Sequence, residues 1–131
     1  MDWITEYIAI GNNIDAQNLK CGEFDAVLCL VEDCCDEDDD RFDVINIPLM
    51  DSGGNSRVAI KKAIEFIDDV VSHNEKILVH CHAGRSRSVC IVARYLMFKQ
   101  RISSQEALEL IEEKREIYLS PGIEEILNIQ I

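Results

Sequence analysis

Apolar residues of this 131-residue chain follow two kinds of pattern, short runs and stretches with helical spacing. The runs are rich in Val, Ile and Leu, which is typical of strands buried in a parallel sheet. They lie at residues 6–11, 25–31, 43–47 and 76–80. Strands of this kind, separated by helical segments, predict an α/β domain with a central, mainly parallel sheet flanked by helices.

Helical patterns separate and follow these runs. Residues 58–71 place apolar side chains at helical intervals. Residues 88–98 are almost wholly apolar and too long for a strand, so they predict the central buried helix. Ser103 opens a Ser-x-x-Glu capping box that starts the next helix. Ser120, followed by proline, predicts the cap of a last helix, and residues 15–20 predict a short one.

Composition limits the class of protein. With 47% hydrophobic and 29% charged residues, the chain is typical of a soluble globular protein, and its length predicts one domain, residues 1–131. The net charge of −12 disfavours binding to nucleic acid or to anionic membranes. No apolar run is long enough to span a membrane, and the start lacks the pattern of a signal peptide. We therefore expect a cytoplasmic protein, and we expect it to be a monomer.

Six cysteines raise the question of disulfides and metals. Cys29 and Cys90 lie within apolar runs, and Cys34 is adjacent to Cys35, which suits no ordinary disulfide framework. Buried, reduced cysteines are the simpler interpretation. No Cys or His spacing matches a zinc site, so neither a metal nor another cofactor is predicted.

An acidic tract, residues 32–43, carries eight Asp or Glu side chains and one arginine between two predicted strands. Blocks of like charge are usually solvated loops, which is the interpretation we favour. A cation site or a shield against acidic partners is the alternative, and the spacing supports no specific one.

The chemistry of the chain concentrates in residues 79–88, with the sequence VHCHAGRSRS. Residues 76–105 contain no Asp or Glu, so this part of an acidic chain is expected to bind an anion. A strand, a tight loop and a helix N-terminus place backbone N–H groups around one point, and Gly84 allows close approach of the backbone. Arg87 offers two parallel donors to two phosphate oxygens. The segment predicts a cradle for a tetrahedral dianion.

Cys81 lies at the base of this cradle, where the same donors stabilise a thiolate. A thiolate in line with phosphorus is a nucleophile that forms a phosphocysteine. Ser88 is placed to hydrogen-bond the sulfur and help it leave, and His80 is expected to brace the loop rather than act as a base. The phosphate-binding residues predicted for the loop are His82, Ala83, Gly84, Arg85, Ser86 and Arg87.

The segment HCHAGRSRS resembles the His-Cys-x-x-Gly-x-x-Arg-Ser form found in dual-specificity phosphatases, within the Cys-x5-Arg superfamily of protein tyrosine phosphatases. The resemblance extends to YIAIGNNIDAQN, SVCIVARYLM and SSQEALELIEEKREIYLSPG, and so to nearly the whole chain. It departs from the family at Arg85, where many relatives carry an aliphatic residue, and in a C-terminal segment without the usual aromatic. The resemblance implies a phosphatase that needs no metal and acts on phosphorylated proteins.

The same family supplies a general acid, an Asp about thirty residues before the cysteine, on a loop that follows an upstream strand. Asp51 lies thirty residues before Cys81 and follows the strand predicted at 43–47. The resemblance therefore implies that Asp51 protonates the leaving group. A purely structural role as an Asx turn or helix cap is the alternative, and Asp43 is the next choice of acid.

Two other functions remain open. Arg85 and His82 make the loop unusually basic, like relatives that act on inositol or phospholipid phosphates, although Arg85 is equally compatible with pairing to a neighbouring carboxylate. A pseudophosphatase that only binds phosphoproteins is the non-enzymatic alternative. Such proteins usually lack the cysteine or the arginine, and both Cys81 and Arg87 are present.

Overall fold

A computed structural model describes residues 1–32 and 39–131. Five strands form one sheet: β1 (Asp2–Trp3), β2 (Ile8–Gly11), β3 (Ala26–Cys29), β4 (Asp43–Asn46) and β5 (Ile77–His80). The helices are α1 (Asn13–Gln17), α2 (Arg57–Ser72), α3 (Arg87–Gln100), α4 (Ser104–Glu112) and a 3₁₀ helix at Ile123–Asn128. The prediction of an α/β fold is confirmed.

The strands lie in the order β1-β2-β5-β3-β4, and every neighbouring pair is parallel except the short β1–β2 pair. His80 at the end of β5 lies opposite Gly11 of β2 and opposite Cys29 of β3. The carboxyl ends of three parallel strands therefore meet at one edge, with β5 in the middle. In open α/β sheets this edge is where ligands bind.

Side chains of the central strands alternate between the two faces of the sheet. Ile77 and Val79 pack into a core with α2 and α3, whereas Leu78 packs with Phe24 and Phe42 on the other face. The first half of α3 is buried almost completely, which confirms the prediction of a central buried helix. This burial fixes the helix directly behind the loop that precedes it.

Two helix starts differ from the predictions. Helix α1 begins at Asn13 rather than at Asp15, because Asn12 is the cap and Asp15 is its capping-box partner. The last helix begins at Ile123, is a 3₁₀ helix and is preceded by Gly122 in the left-handed region at φ 90°. Ser120 does not cap it, because its hydroxyl is hydrogen-bonded to another segment. The capping box at Ser103 is confirmed.

Cysteines of the described residues are free at positions 21, 81 and 90. Cys29 is disulfide-bonded, so the prediction of a reduced thiol is wrong there. The apolar run around Cys29 predicts that its sulfur is buried, but burial does not determine whether a cysteine is reduced or disulfide-bonded. Cys34, Cys35 and half of the acidic tract, residues 33–38, lie outside the described residues. Within the described parts of the chain, helices are all too short or too polar to cross a membrane.

Candidate active site

Residues 81–87, the cysteine loop, join the middle strand β5 to α3. Every carbonyl from residue 82 to residue 85 accepts a hydrogen bond from outside the loop. Asn13 N donates to His82 O at 3.2 Å, and Tyr118 N donates to Arg85 O at 3.0 Å. The guanidinium of Arg115 donates to Gly84 O at 2.6 Å and to Ala83 O at 3.4 Å. The outer side of the loop therefore holds its acceptors.

Backbone N–H groups of residues 82–86 have no acceptor among the described residues. The C=O of one residue and the N–H of the next share a planar peptide and point in opposite directions, so the contacts of the carbonyls of residues 82–85 turn the N–H groups of residues 83–86 toward the inside of the loop. Ser86, the residue before α3, makes no side-chain cap, so the first donors of that helix add to the set. The loop has the donors expected of an anion cradle.

Gly84 is required by its surroundings. Its φ of 69° lies in the left-handed region, and a Cβ at this position would lie 2.6 Å from Gly11 O and 2.5 Å from an Arg115 nitrogen. Only glycine allows the loop to pack this closely on the end of β2.

Cys81 lies at the base of the loop and is buried, with its sulfur 3.2 Å from the hydroxyl of Ser88. The predicted contact between these two side chains is therefore present. Cys90, two residues after Ser88 on α3, is also buried, and burial raises the pKa of its thiol to about 12. Cys90 stays protonated at neutral pH and is inert as a nucleophile.

His80 precedes the cysteine and is fully buried. Burial lowers its pKa to about 4, although a hydrogen bond with the Cys81 backbone acts in the opposite direction. The imidazole is therefore neutral at physiological pH. This arrangement agrees with the prediction that His80 braces the loop.

Arg87 extends its side chain toward the segment after β4. Its Nη1 donates to the carbonyl of Leu49 at 3.2 Å. Its Nε–H is buried and has no acceptor among the described residues. The guanidinium is thus held at one corner and keeps a donor for an anion in the loop.

Asp51 lies against the cysteine loop, although 35 residues separate it from its nearest partner there. One carboxylate oxygen accepts from the hydroxyl of Ser86 at 2.6 Å, and the other accepts from the hydroxyl of Ser120 at 2.6 Å. Asp43 pairs with Ala26 at the opposite end of β3, so it lies at the far edge of the sheet. The geometry favours Asp51 over Asp43 as the acid.

Residues 50–55, the acid loop, are tied together by Asn55. Its side-chain oxygen accepts from Met50 N at 2.7 Å, and its amide donates to Met50 O and Ser52 O at 2.9 and 3.1 Å. These contacts fix the backbone on both sides of Asp51. Asn55 therefore supports the backbone of the acid loop by side-chain hydrogen bonds, as Arg115 supports that of the cysteine loop.

Arg85 and His82 are both exposed on the cysteine loop. Arg85 forms no ion pair within the described ranges 1–32 and 39–131, so the alternative of a neighbouring carboxylate partner finds no support there. His82 Nδ1 lies 3.1 Å from the side-chain amide of Asn13. The basic character predicted for the rim of the loop is present.

Sequence reasoning missed the residues that support the site from outside: Asn13, Asn55, Arg115 and the side chain of Ser120. Arg115 also pairs with Asp2 at 2.8 Å, so its charge is balanced away from the loop. Arg115 lies in the segment SSQEALELIEEKREIYLSPG, which resembles the family, and this resemblance is only a weak indication that Arg115 supports the site. Nothing in the local sequence predicts that it reaches the carbonyls of the loop.

Comparison with known proteins agrees with this geometry. A model of the dual specificity phosphatase catalytic domain matches residues 7–128. Human dual specificity protein phosphatase 4 is 37% identical over 101 residues, which cover 74% of this chain and 25% of that protein. Human dual specificity protein phosphatase 2 is 34% identical over 126 residues, covering 91% and 39%. The chain thus spans less than half the length of either relative.

Among solved structures, PTPMT1 in complex with PI(5)P superposes with a TM-score of 0.78 at 22% identity, covering 95% of this chain and 89% of that one. At this identity the likeness supports the fold alone. Because the family model matches nearly the whole chain and the cysteine loop carries the family's signature, the chain belongs to the dual-specificity phosphatase catalytic-domain family.

Proposed function

We propose that this chain is one catalytic domain, residues 1–131, that hydrolyses phosphate monoesters through a phosphocysteine and needs no metal. The observation that carries the proposal is the cysteine loop: the carbonyls of residues 82–85 are bound from outside the loop, and the N–H groups of residues 82–86 lack acceptors among the described residues. Such a loop stabilises both a phosphoryl group and a thiolate at Cys81. A pseudophosphatase that only binds phosphoproteins would not need a nucleophile at Cys81.

In the first step the Cys81 thiolate attacks phosphorus, an S–P bond forms, and the bond from phosphorus to the ester oxygen breaks. Asp51 gives its proton to that oxygen, which leaves as an alcohol or phenol. The equatorial oxygens remain bound by loop N–H groups and by Arg87. The charge that develops on the phosphoryl oxygens therefore meets donors already in position.

In the second step a water molecule attacks phosphorus and gives a proton to the Asp51 carboxylate. The S–P bond breaks and the thiolate leaves with phosphate as the other product. The hydroxyl of Ser88, 3.2 Å from the sulfur, stabilises the departing thiolate. One cycle restores both the thiolate and the acid.

Rapid-quench kinetics with an aryl phosphate test the mechanism. We expect a burst of phenol equal to the enzyme concentration, and acid-quenched protein carrying a phosphoryl group on Cys81 by mass spectrometry. Absence of both turnover and a phosphoprotein would favour the pseudophosphatase, and phosphate-analogue binding without turnover would identify it.

Asp51→Asn removes the proton that the leaving group needs. We expect kcat for an alkyl phosphate to fall about 10²-fold or more, with a smaller loss for an aryl phosphate, whose phenoxide leaves more easily. The basic limb of the pH–rate profile should disappear, because asparagine has no proton to lose. Asp43→Asn is the matched control and should leave both unchanged. An unaltered profile in Asp51→Asn would assign the acid to another residue.

For the substrate, we propose phosphorylated proteins as the main class, in line with the names of the two curated relatives. Phosphoserine, phosphothreonine and phosphotyrosine all carry the dianion that the loop accommodates. Inositol or phospholipid phosphates are the second candidate, because exposed Arg85 has no ion-pair partner in the described parts of the chain. The PI(5)P bound to the structural neighbour PTPMT1 is compatible with this second candidate.

Arg85→Ala separates the two substrate classes. If a second phosphate contacts Arg85, the variant should lose about tenfold or more in kcat/KM for a multiply phosphorylated inositol or lipid substrate, since charge-assisted hydrogen bonds are worth ~1.5–3 kcal/mol. Hydrolysis of a simple aryl phosphate should stay nearly intact. A panel of phosphopeptides, inositol phosphates and phospholipid phosphates measures this. Equal losses across the panel would mean that Arg85 only supports the loop, and the protein substrate would stand alone.

A further inference from the structure

Ser120 completes a ring of hydrogen bonds around Asp51. Its hydroxyl donates to Oδ2 of Asp51 at 2.6 Å, and its backbone N–H donates to the hydroxyl of Ser86 at 3.0 Å. Ser86 in turn donates to Oδ1 of Asp51 at 2.6 Å. The ring joins the acid loop, the cysteine loop and the segment before the 3₁₀ helix.

The backbone keeps Ser120 at this distance from Asp51. A Cβ on Gly122 would lie 2.6 Å from Gly53 N, so the segment that carries Ser120 packs directly on the backbone of the acid loop. Gly122 adopts φ 90° and turns the chain into the 3₁₀ helix, which leaves Ser120 outside the helix and free to face the acid. The serine that the sequence suggests as a helix cap thus has its partner in another part of the chain.

The hydroxyls of Ser86 and Ser120 differ in whether their oxygens accept a hydrogen bond. The oxygen of Ser86 accepts the N–H of Ser120, so its own proton points to Asp51. The oxygen of Ser120 accepts no hydrogen bond from the described residues. A protonated carboxyl has one O–H donor and keeps acceptor capacity on its oxygens. Ser120 can therefore donate to Oδ2 of Asp51 in both protonation states, which leaves the acidic proton free to be transferred to the leaving group.

We propose that Ser120 is a positioning residue for the general acid: its hydroxyl holds Oδ2 of Asp51 in register with the cysteine loop before and after proton transfer. The proposal rests on the proposed function of Asp51. A carboxyl held by Ser86 alone is fixed at one oxygen and rotates about its Cβ–Cγ bond, whereas bonds to both oxygens fix its plane. A small displacement of the acid from the leaving-group oxygen lowers the reaction rate strongly, so a fixed carboxyl plane favours proton transfer.

The test compares Ser120→Ala with wild type on an alkyl and an aryl phosphate. The backbone N–H to Ser86 remains in this variant, so only the hydroxyl is removed. We expect kcat for the alkyl phosphate to fall about tenfold, with a two- to threefold loss at most for the aryl phosphate and little change in KM. Ser120→Thr keeps a hydroxyl and should recover most of the activity.

Ser52→Ala is the matched control, because the Ser52 hydroxyl lies on the acid loop but bonds only the neighbouring Gly53 carbonyl. It should match wild type on both substrates. The ratio of alkyl to aryl turnover does not depend on the fraction of folded protein, so a destabilised Ser120→Ala variant still gives an answer.

The double variant with Asp51→Asn decides whether Ser120 acts through the acid. We expect Ser120→Ala to cause no further loss in the Asp51→Asn background. The proposal is overturned if Ser120→Ala lowers both substrates equally, or if its full effect persists without Asp51. If wild type shows neither turnover nor a phosphoprotein, the proposed function fails; if wild type turns over and Ser120→Ala matches it, only the role of Ser120 fails.

Discussion

Cys81→Ser should bind phosphate analogues such as vanadate and turn over no substrate. The sulfur lies at the base of a loop whose donors come from the backbone and Arg87, so the substitution leaves the cradle in place. A serine hydroxyl stays protonated where a thiol ionises, so the variant lacks a nucleophile of comparable strength. We expect kcat to fall by at least about 10⁴-fold, in the range seen when other enzymes lose their nucleophile.

Steady-state kinetics and a calorimetric titration with vanadate measure the two halves of this expectation. Cys21→Ser is the matched control, because Cys21 is also free but is exposed and remote from the loop in the fold. It should retain full activity. Appreciable hydrolysis by Cys81→Ser would show that another group attacks phosphorus, and the mechanism would then have to be abandoned.

The parts of the site that local sequence determines were predictable. A strand, a glycine-containing loop and an apolar helix follow one another without interruption in residues 76–100, so the cradle forms from neighbours in the chain. The contact of Cys81 with Ser88 follows from their spacing across a helix start. Asp51 came from the family resemblance, and the hydrogen bond to Ser86 then agrees with it.

The supporting residues were not predictable, because their partners come from distant segments. Arg115 lies 31 residues from the carbonyl it binds, and Ser120 lies 69 residues from Asp51. Ser120 also satisfied a local rule, since serine before proline is a good helix start. Gly122 packs on Gly53 and the helix begins only at Ile123, so Ser120 lies before the helix and its hydroxyl binds Asp51.

The strands show the same division. Patterns of apolar residues located β3 and β5 within one or two residues, because burial on both faces imposes a continuous apolar run. The β1 strand of two residues, Asp2–Trp3, has no such pattern. Its pairing with β2 nevertheless matters to the site, because it places Asp2 against Arg115, the side chain that binds the cysteine loop.

Arg87→Lys should lose at least about as much activity as Asp51→Asn, although lysine keeps the positive charge. The arginine uses Nη1 to bind Leu49 O at 3.2 Å while its buried Nε–H still lacks an acceptor within the described residues. A planar guanidinium therefore links the acid-loop side of the site to the anion with separate donors. An ammonium is a point charge that cannot reproduce this two-point geometry.

We expect kcat for an aryl phosphate to fall about 10²–10³-fold in Arg87→Lys, as when one preorganised donor to transition-state charge is removed. Vanadate should also bind more weakly, which separates this variant from Cys81→Ser, where binding persists. Arg101→Lys is the matched control, because Arg101 is an exposed residue at the other end of α3. Near-normal turnover by Arg87→Lys would mean that the loop N–H groups alone bind the phosphoryl oxygens, and the role given to the guanidinium would be wrong.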